Sequence, residues 1–270
     1  MNEQSLVRQQ RHGAVVTLTL NRPELHNAFD DRLVSELHQR LDAIAEDRGL
    51  RVVVLTGAGA SFSAGADLNW MRRMAAASEA ENEADALALA LLLRRLDTLP
   101  QATIAHIRGA ALGGGMGLVC CCDIAIADES AVFGLTEVHL GLIPAVISPY
   151  VVARIGAGQA RALAVSGRRI KASEALRIGL IHHCVDSDQL DEQVARHSGL
   201  IVKAAPVAVS EAKRLIQQVS AFDGSDPQNE DRLTAAWIAR LRVSPEGQEG
   251  LRAFLDKSTP NWRRDHDSRQ

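Results

Sequence analysis

The chain has 270 residues, 46% of them hydrophobic and 23% charged, the composition of an ordinary folded protein rather than a disordered, collagen-like or membrane-spanning one. Lys and Arg number 30 against 33 Asp and Glu, a formal charge of -3, so there is no broad positive field to hold phosphate backbones or anionic lipid. Aromatic residues make up 3% with a single Tyr150, which leaves little material for stacking bases or glycans and keeps small-molecule chemistry open.

The longest uninterrupted apolar run, Ala86 to Leu93, is far short of the roughly 20 residues that cross a bilayer. The start, MNEQSLVRQQRHG, lacks the apolar stretch and small-residue cleavage site of a secretory signal, which predicts a cytoplasmic protein. Three cysteines are consecutive, Cys120 to Cys122, a spacing that suits neither a disulfide framework nor a zinc site. They are expected to be buried thiols in a reducing compartment.

In chain order, Val15 to Leu20 alternates as a strand and is stopped by Asn21-Arg22-Pro23. Asp30 is expected to cap a helix over Asp31 to Ala45, where Leu33, Val34, Leu37, Leu41, Ile44 and Ala45 recur at helical spacing. Arg51 to Thr56, with four consecutive apolar residues, reads as a strand covered on both faces. After the small-residue loop SFSAGAD (61 to 67), Leu68 to Met74 and Ala84 to Leu96 read as helices, with the polar stretch Ser78 to Glu83 expected to be a mobile interruption. A strand over Thr103 to Ile107 runs into Gly109, then Gly113-Gly114-Gly115 and a helix over Met116 to Cys122. Ile124 to Ala127 is a further strand, followed by Phe133-Gly134-Leu135 and Glu137. From Gly158 onward the sequence reads as successive helices with a short apolar segment at Leu180 to Val185. The expected organisation is a 1-195 α/β core and a 196-270 helical region.

A strand, three glycines and a helix start permit close backbone approach and leave the first helical N–H groups free to donate to a negative oxygen. The phosphate-loop pattern is absent, and the dinucleotide fingerprint fails at Leu118, so a developing oxyanion is a better candidate than a nucleotide; a close-packed turn is the alternative. The loop Ala64-Gly65-Ala66-Asp67 supplies a second set of backbone N–H groups. Two such donors would polarise a thioester carbonyl, and losing one typically costs ~3 to 4 kcal/mol of transition-state stabilisation. Glu137, among Phe133, Leu135, Val138, Leu140 and Leu142, is the candidate acid or base, with its pKa expected to be raised by the apolar setting. Trp70, Met71 and Met74 follow at helical spacing and would form either a flexible apolar wall or core packing. Asp67 is expected to cap the helix at Leu68, and Asp123 to be structural. His182 and His183 are adjacent and no H-E-x-x-H occurs, so no metal is predicted.

The segments SFSAGADL (61 to 68), GAALGGGMGL (109 to 118), CCDIAIA (121 to 127) and FGLTEVHLGLIPA (133 to 145), in this order, resemble the crotonase, or enoyl-CoA hydratase/isomerase, superfamily. The likeness begins at NRPELHNAF (21 to 29) and extends to AFLDKSTPNW (253 to 262). It implies a β-β-α spiral core with a helical C-terminal trimerisation region, an acyl-CoA thioester ligand without a separate cofactor, and trimers that stack into hexamers. It places the oxyanion-hole amides on Ala66 and Gly114 and a catalytic glutamate on Glu137. The implied CoA- and substrate-binding residues are Ala64, Asp67, Leu68, Trp70 and Gly113, with Phe254 and Lys257 meeting the nucleotide end from an adjacent subunit.

The first glutamate of the two-glutamate hydratases would fall at Gly117, so one carboxylate is missing. AGADLNWM (64 to 71), GLIPAVISPYVV (141 to 152) and SPEGQEGLRAFLDK (244 to 257) look most like hydratases of 3-branched glutaconyl-CoA thioesters, such as the 3-methyl and isohexenyl forms of leucine and acyclic terpene breakdown. Ala145 stands where the dehalogenase branch needs an aspartate nucleophile. The alternatives are a Δ3,Δ2-enoyl-CoA isomerase working with one carboxylate and a non-catalytic RNA- or protein-binding trimer, which the composition disfavours. A glutaconyl group has a distal carboxylate, for which Arg72, Arg73 and His139 are within sequence reach and none is assigned.

Overall fold

The computed structural model describes residues 5–263. The sequence reading passes over strand β1 (Val7–His12), which pairs antiparallel with β2 (Val15–Leu20). β1 buries only Val7 and exposes the Arg-Gln-Gln-Arg-His that follows, so it has no apolar alternation to detect. Beyond β2, strands β3 (Val52–Gly57), β4 (Ala102–Ile107), β6 (Ile124–Asp128) and β9 (His183–Val185) add in parallel, giving the order β1-β2-β3-β4-β6-β9.

Side-chain alternation sends Val53 and Leu55 to one face and Val52 and Val54 to the other. The first face meets α1 (Asp31–Glu46), which buries Leu33, Val34, Leu37, Leu41 and Ile44 and starts where the Asp30 side chain accepts the N–H of Leu33. The second meets α7 (Leu190–Val202) through Leu190, Val194 and Val202. Coverage on both faces is why the β3 segment is an unbroken apolar run.

The polar stretch 78–83 is not an interruption of the kind expected. After α2 (Leu68–Ala76), Ser78 caps α3 (Glu79–Asp97) and forms a reciprocal capping box with Glu81, so these polar residues are the first turn of a helix. The glycines lie between β5 (Ala110–Leu112) and α4 (Gly114–Cys121). β5 pairs parallel with β7 (Val132–Gly134), which pairs antiparallel with β8 (Arg169–Lys171). This small sheet brings the glycine loop beside the segment that carries Glu137.

The remaining helices are α5 (Ser148–Ser166), α6 (Ala172–Arg177), α8 (Pro206–Val219), α9 (Pro227–Arg242) and α10 (Pro245–Leu255). The expected boundary at 195/196 falls inside α7, which packs on the sheet along its length, and the helical region proper begins after it. α8 and α9 bury none of their residues and α10 buries only Ala253. α8 is tied to the core by Lys213, whose Nζ donates to the carbonyls of Leu99 and Gln101 and pairs with Asp123 at 2.8 Å. Asp123 also accepts from the N–H and hydroxyl of Thr103, the structural role expected of it. Among the described residues, no helix is long and apolar enough to cross a membrane.

Candidate active site

Two loops are held together by backbone hydrogen bonds. The N–H of Phe29 donates to Gly65 O at 2.7 Å and that of Asp67 to Phe29 O at 2.8 Å. That bridge uses the carbonyl of Gly65 and the amide of Asp67, so the N–H of Ala66 stays outside it. Ser63 donates to Ala110 O and Leu112 to Ser63 O, both at 2.9 Å, stitching the same loop to β5. Gly113, at φ +50, then donates to Gly134 O at 2.9 Å, and Gly114 opens α4, where an amide has no intrahelical acceptor.

Polar residues that sequence reasoning did not assign fasten this assembly. Asn27 is fully buried; its side-chain amide donates to the carbonyls of Ala58 and Ser61, and its Oδ1 accepts the N–H of Arg22. Arg22 pairs with Asp30 and Asp67, each at 3.0 Å. The NRPELHNAF segment carried this signal, but nothing in one sequence says which loops its side chains join. Asp67 caps α2 as expected by accepting the N–H groups of Asn69 and Trp70. Burial raises its pKa, but those amides and Arg22 outweigh it and hold the carboxyl below the ordinary range. Asp67→Ala is therefore expected to cost about 3 kcal/mol, the low end for breaking a buried pair because Arg22 keeps Asp30. Chemical denaturation measures this, with Asp67→Asn losing less because it retains the cap.

Glu137 begins a short 3-10 turn (Glu137–Leu140) directly after the β7 strand and Leu135-Thr136. Its Oε1 lies 3.0 Å from where a Cβ on Gly113 would stand, so glycine there leaves room for the carboxylate beside the loop. Its Oε2 is buried without a hydrogen-bond partner. Burial pushes its pKa up, the direction expected from the sequence, with a smaller opposing contribution from its own backbone amide. The apolar setting differs in detail. Phe133 and Leu135 are buried, whereas Leu140 and Leu142 are exposed at the mouth of a cavity.

That cavity has a volume of about 1240 Å³. Ala64, Ala66, Leu68, Trp70, Gly113, Gly114 and Glu137 all line it, as do Met71 and Met74. The sequence motifs thus converge on one chamber, bounded by α1, α2, α3 and the segment 140–147. Residues 10–265 match the family model described as enoyl-CoA hydratase/isomerase. The chain belongs to the enoyl-CoA hydratase/isomerase family.

It is accordingly an enzyme of the hydratase/isomerase type, and an acyl-CoA thioester is the substrate class consistent with this family. The chain is 34% identical to the 2,3-dehydroadipyl-CoA hydratase of Escherichia coli over 271 residues, covering 97% of this chain and 99% of that one. Among solved structures, an enoyl-CoA hydratase from Shewanella pealeana superposes with a TM-score of 0.92 at 42% identity, covering 96% of both chains. Pseudomonas aeruginosa AtuE superposes with a TM-score of 0.90 at 37% identity, covering 96% of this chain and 99% of that one.

Other expected residues of this enoyl-CoA hydratase/isomerase family member stand apart from the chamber. Asp67 is buried behind the loop and acts through its cap and ion pair. Phe254 and Lys257 lie in the helical region outside the chamber, Phe254 being 82% exposed. Arg72 donates to Asn69, Arg73 pairs with Asp31, and a ring nitrogen of His139 faces Gly167 O; none of the three lines the chamber. Among the described lining residues, His38 alone could carry a positive charge. The buried Cys120 and Cys122 thiols are pushed up to about 12, chiefly by burial, which leaves them inert as nucleophiles.

At Gly117, where the resemblance to two-glutamate hydratases would place their first glutamate, a Cβ would lie 3.0 Å from Ile147 Cβ and closer still to its Cγ2. Ile147, 3% exposed and lining the chamber, occupies the space a side chain there would need. Gly117 is plain in the sequence, whereas nothing there marks Ile147 as its partner.

Proposed function

We propose that this enzyme adds water across the 2,3 double bond of a 3-branched glutaconyl-CoA thioester, 3-methylglutaconyl-CoA or isohexenylglutaconyl-CoA, in leucine or acyclic terpene catabolism. The observation that carries the reading is Glu137, whose buried, unpartnered carboxylate oxygen belongs to the chamber that Ala66 and Gly114 also line. In the proposed step, the amides of Ala66 and Gly114 hold the thioester oxygen. Glu137 accepts a proton from water as its oxygen bonds to C3, and the π electrons move toward the thioester as an enolate. The Glu137 carboxyl then returns the proton to C2, so atoms and charge balance without a cofactor beyond the substrate's own coenzyme A.

The apolar wall of Trp70, Met71, Met74 and Leu89 supports a branched acyl group. The relative named for a dehydroadipyl, hence dicarboxylic, thioester supports a distal carboxylate. The described lining residues hold no Lys or Arg and include Asp30, Asp31, Asp42 and Asp85, so a distal carboxylate would extend toward solvent at the chamber mouth rather than pair with a cation inside it. A single carboxylate also suits double-bond isomerisation, in which one base carries a proton between C4 and C2. Loss of absorbance at the conjugated thioester, run over 3-methylglutaconyl-, isohexenylglutaconyl- and unbranched substrates with mass analysis of the product, tests the reading. Hydration adds the mass of one water and is expected to be fastest with a branched dicarboxylic substrate. A product of unchanged mass would establish the isomerase instead.

We also propose a homotrimer or a hexamer built from two trimers, supported by the exposed apolar residues Ile216, Ile238, Phe254 and Leu255 of the thinly packed helices α8 to α10. In that assembly Phe254 and Lys257 would meet the nucleotide end of CoA bound to a neighbouring copy. Light scattering of the purified chain is expected to give a mass three or six times that of the monomer.

A further inference from the structure

α2 forms one wall of the chamber but is barely anchored by packing. None of its residues is buried, Leu68 is 69% exposed, and yet Trp70, Met71, Met74 and Ala75 face the cavity. Its position depends instead on a few polar ties. Asp67 caps its start, Arg73 pairs with Asp31 of α1, and the side-chain amide of Asn82 donates to the carbonyls of Met74, Ala77 and Ser78 at its end. Of these ties, the one formed by a chamber-lining side chain of α2 crosses to α3: Trp70 Nε1 donates to Asp85 Oδ1 at 3.0 Å, and both residues line the cavity.

We infer that the Trp70–Asp85 hydrogen bond sets the wall of the acyl chamber and thereby its preference for acyl length, with Asp85 a positioning residue that acts through Trp70. The inference rests on reading this cavity as the acyl site. An indole can turn about two side-chain bonds, and this one is half-buried on a helix that buries none of its residues, so the hydrogen bond to Asp85 restricts it. Fixing it in advance removes an ordering cost that an acyl chain long enough to reach it would otherwise meet. A four-carbon acyl group, ending nearer the oxyanion loops, gains less from this ordering.

The test is binding of the unreactive thioesters butyryl-CoA and decanoyl-CoA, read as the ratio of their Kd values by calorimetry on the assembled enzyme. Taking the ratio cancels any uniform loss from misfolded protein. Asp85→Ala and Trp70→Phe, which keeps an aromatic ring but removes the donor, are each expected to weaken the preference for decanoyl-CoA about ten-fold, within the range a pocket wall supplies. The double variant is expected to lose no more than either single one, because both break the same bond. Asp85→Asn, whose amide oxygen still accepts the indole N–H, is expected to keep the wild-type ratio. An unchanged or increased decanoyl preference in Asp85→Ala, or equal losses in Asp85→Asn and Asp85→Ala, would overturn the inference. Because binding is measured without turnover, tight length-dependent binding alongside absent hydration would sink the proposed reaction while leaving this inference standing.

Discussion

Glu137→Gln is expected to lower kcat about 10³-fold while raising the melting temperature at neutral pH. The loss of rate follows from removing the carboxylate that stands beside Gly113 in the chamber, since a positioned general base contributes about 10² to 10⁴. The gain in stability follows from the same burial. Oε2 lies buried without a partner and the carboxyl is pushed above its ordinary range, so the folded state binds this proton more tightly than the unfolded chain does. A raised acid of this kind contributes stability that is complete below the ordinary carboxylate range and is lost as pH climbs through the folded value. Above the ordinary carboxylate range the wild type therefore loses stability relative to the glutamine variant, whose side chain does not titrate, and the difference in melting temperature should vanish in acid. In the active enzyme, kcat/KM should fall as pH drops through the raised Glu137 value, with its acid limb above the ordinary glutamate range. Differential scanning fluorimetry and a pH–rate profile measure both effects. A variant that is nearly as active as wild type, or that melts lower at neutral pH, contradicts the assignment.

Gly117→Ala is expected to destabilise the enzyme by about 2 kcal/mol, as adding a methyl group to a filled core does. For a chain of this size that corresponds to roughly 5 °C in melting temperature. The new Cβ would press on Ile147, a β-branched side chain with little rotamer freedom at the entrance to α5. Gly117→Glu should be worse, because it adds a charge to the same crowded spot, and is expected to yield little soluble protein. Ile147→Ala alone leaves a void and should cost about 2 to 4 kcal/mol. In the Gly117→Ala, Ile147→Ala double variant the two changes relieve one another, so its loss should be clearly smaller than the sum of the two single losses. Simple additivity would show that Ile147 is not what excludes a side chain at residue 117.

Much of the local structure was legible because short-range chemistry decides it. Asp30 and Asp67 cap the helices that follow them, the α1 stripe is buried where its period places it, and Val52 to Leu55 is covered on both faces. The capping box at Ser78 and Glu81 was equally local, and its S-x-x-E spacing announced a helix start; polarity alone misread it as a break. β1 escaped because an exposed strand that buries one residue has no pattern to detect.

The amino-acid sequence by itself determined the helices and strands that carry an apolar period, the two loops able to offer backbone donors, and the resemblance to the family to which the chain belongs. It also pointed to a raised pKa at Glu137, whose near neighbours Phe133 and Leu135 are buried, but not to the same effect of burial at Asp97. Only the tertiary structure decided that Phe29 clasps Gly65 and Asp67, that Arg22 and Asn27 lock those loops, that Ile147 fills the space over Gly117, and that Trp70 is tied to Asp85. It equally decided that Arg72, Arg73 and His139 turn away from the chamber. Caps and periodicities act within a few residues and leave a mark in the sequence, whereas a contact between segments tens of residues apart depends on how every intervening element packs.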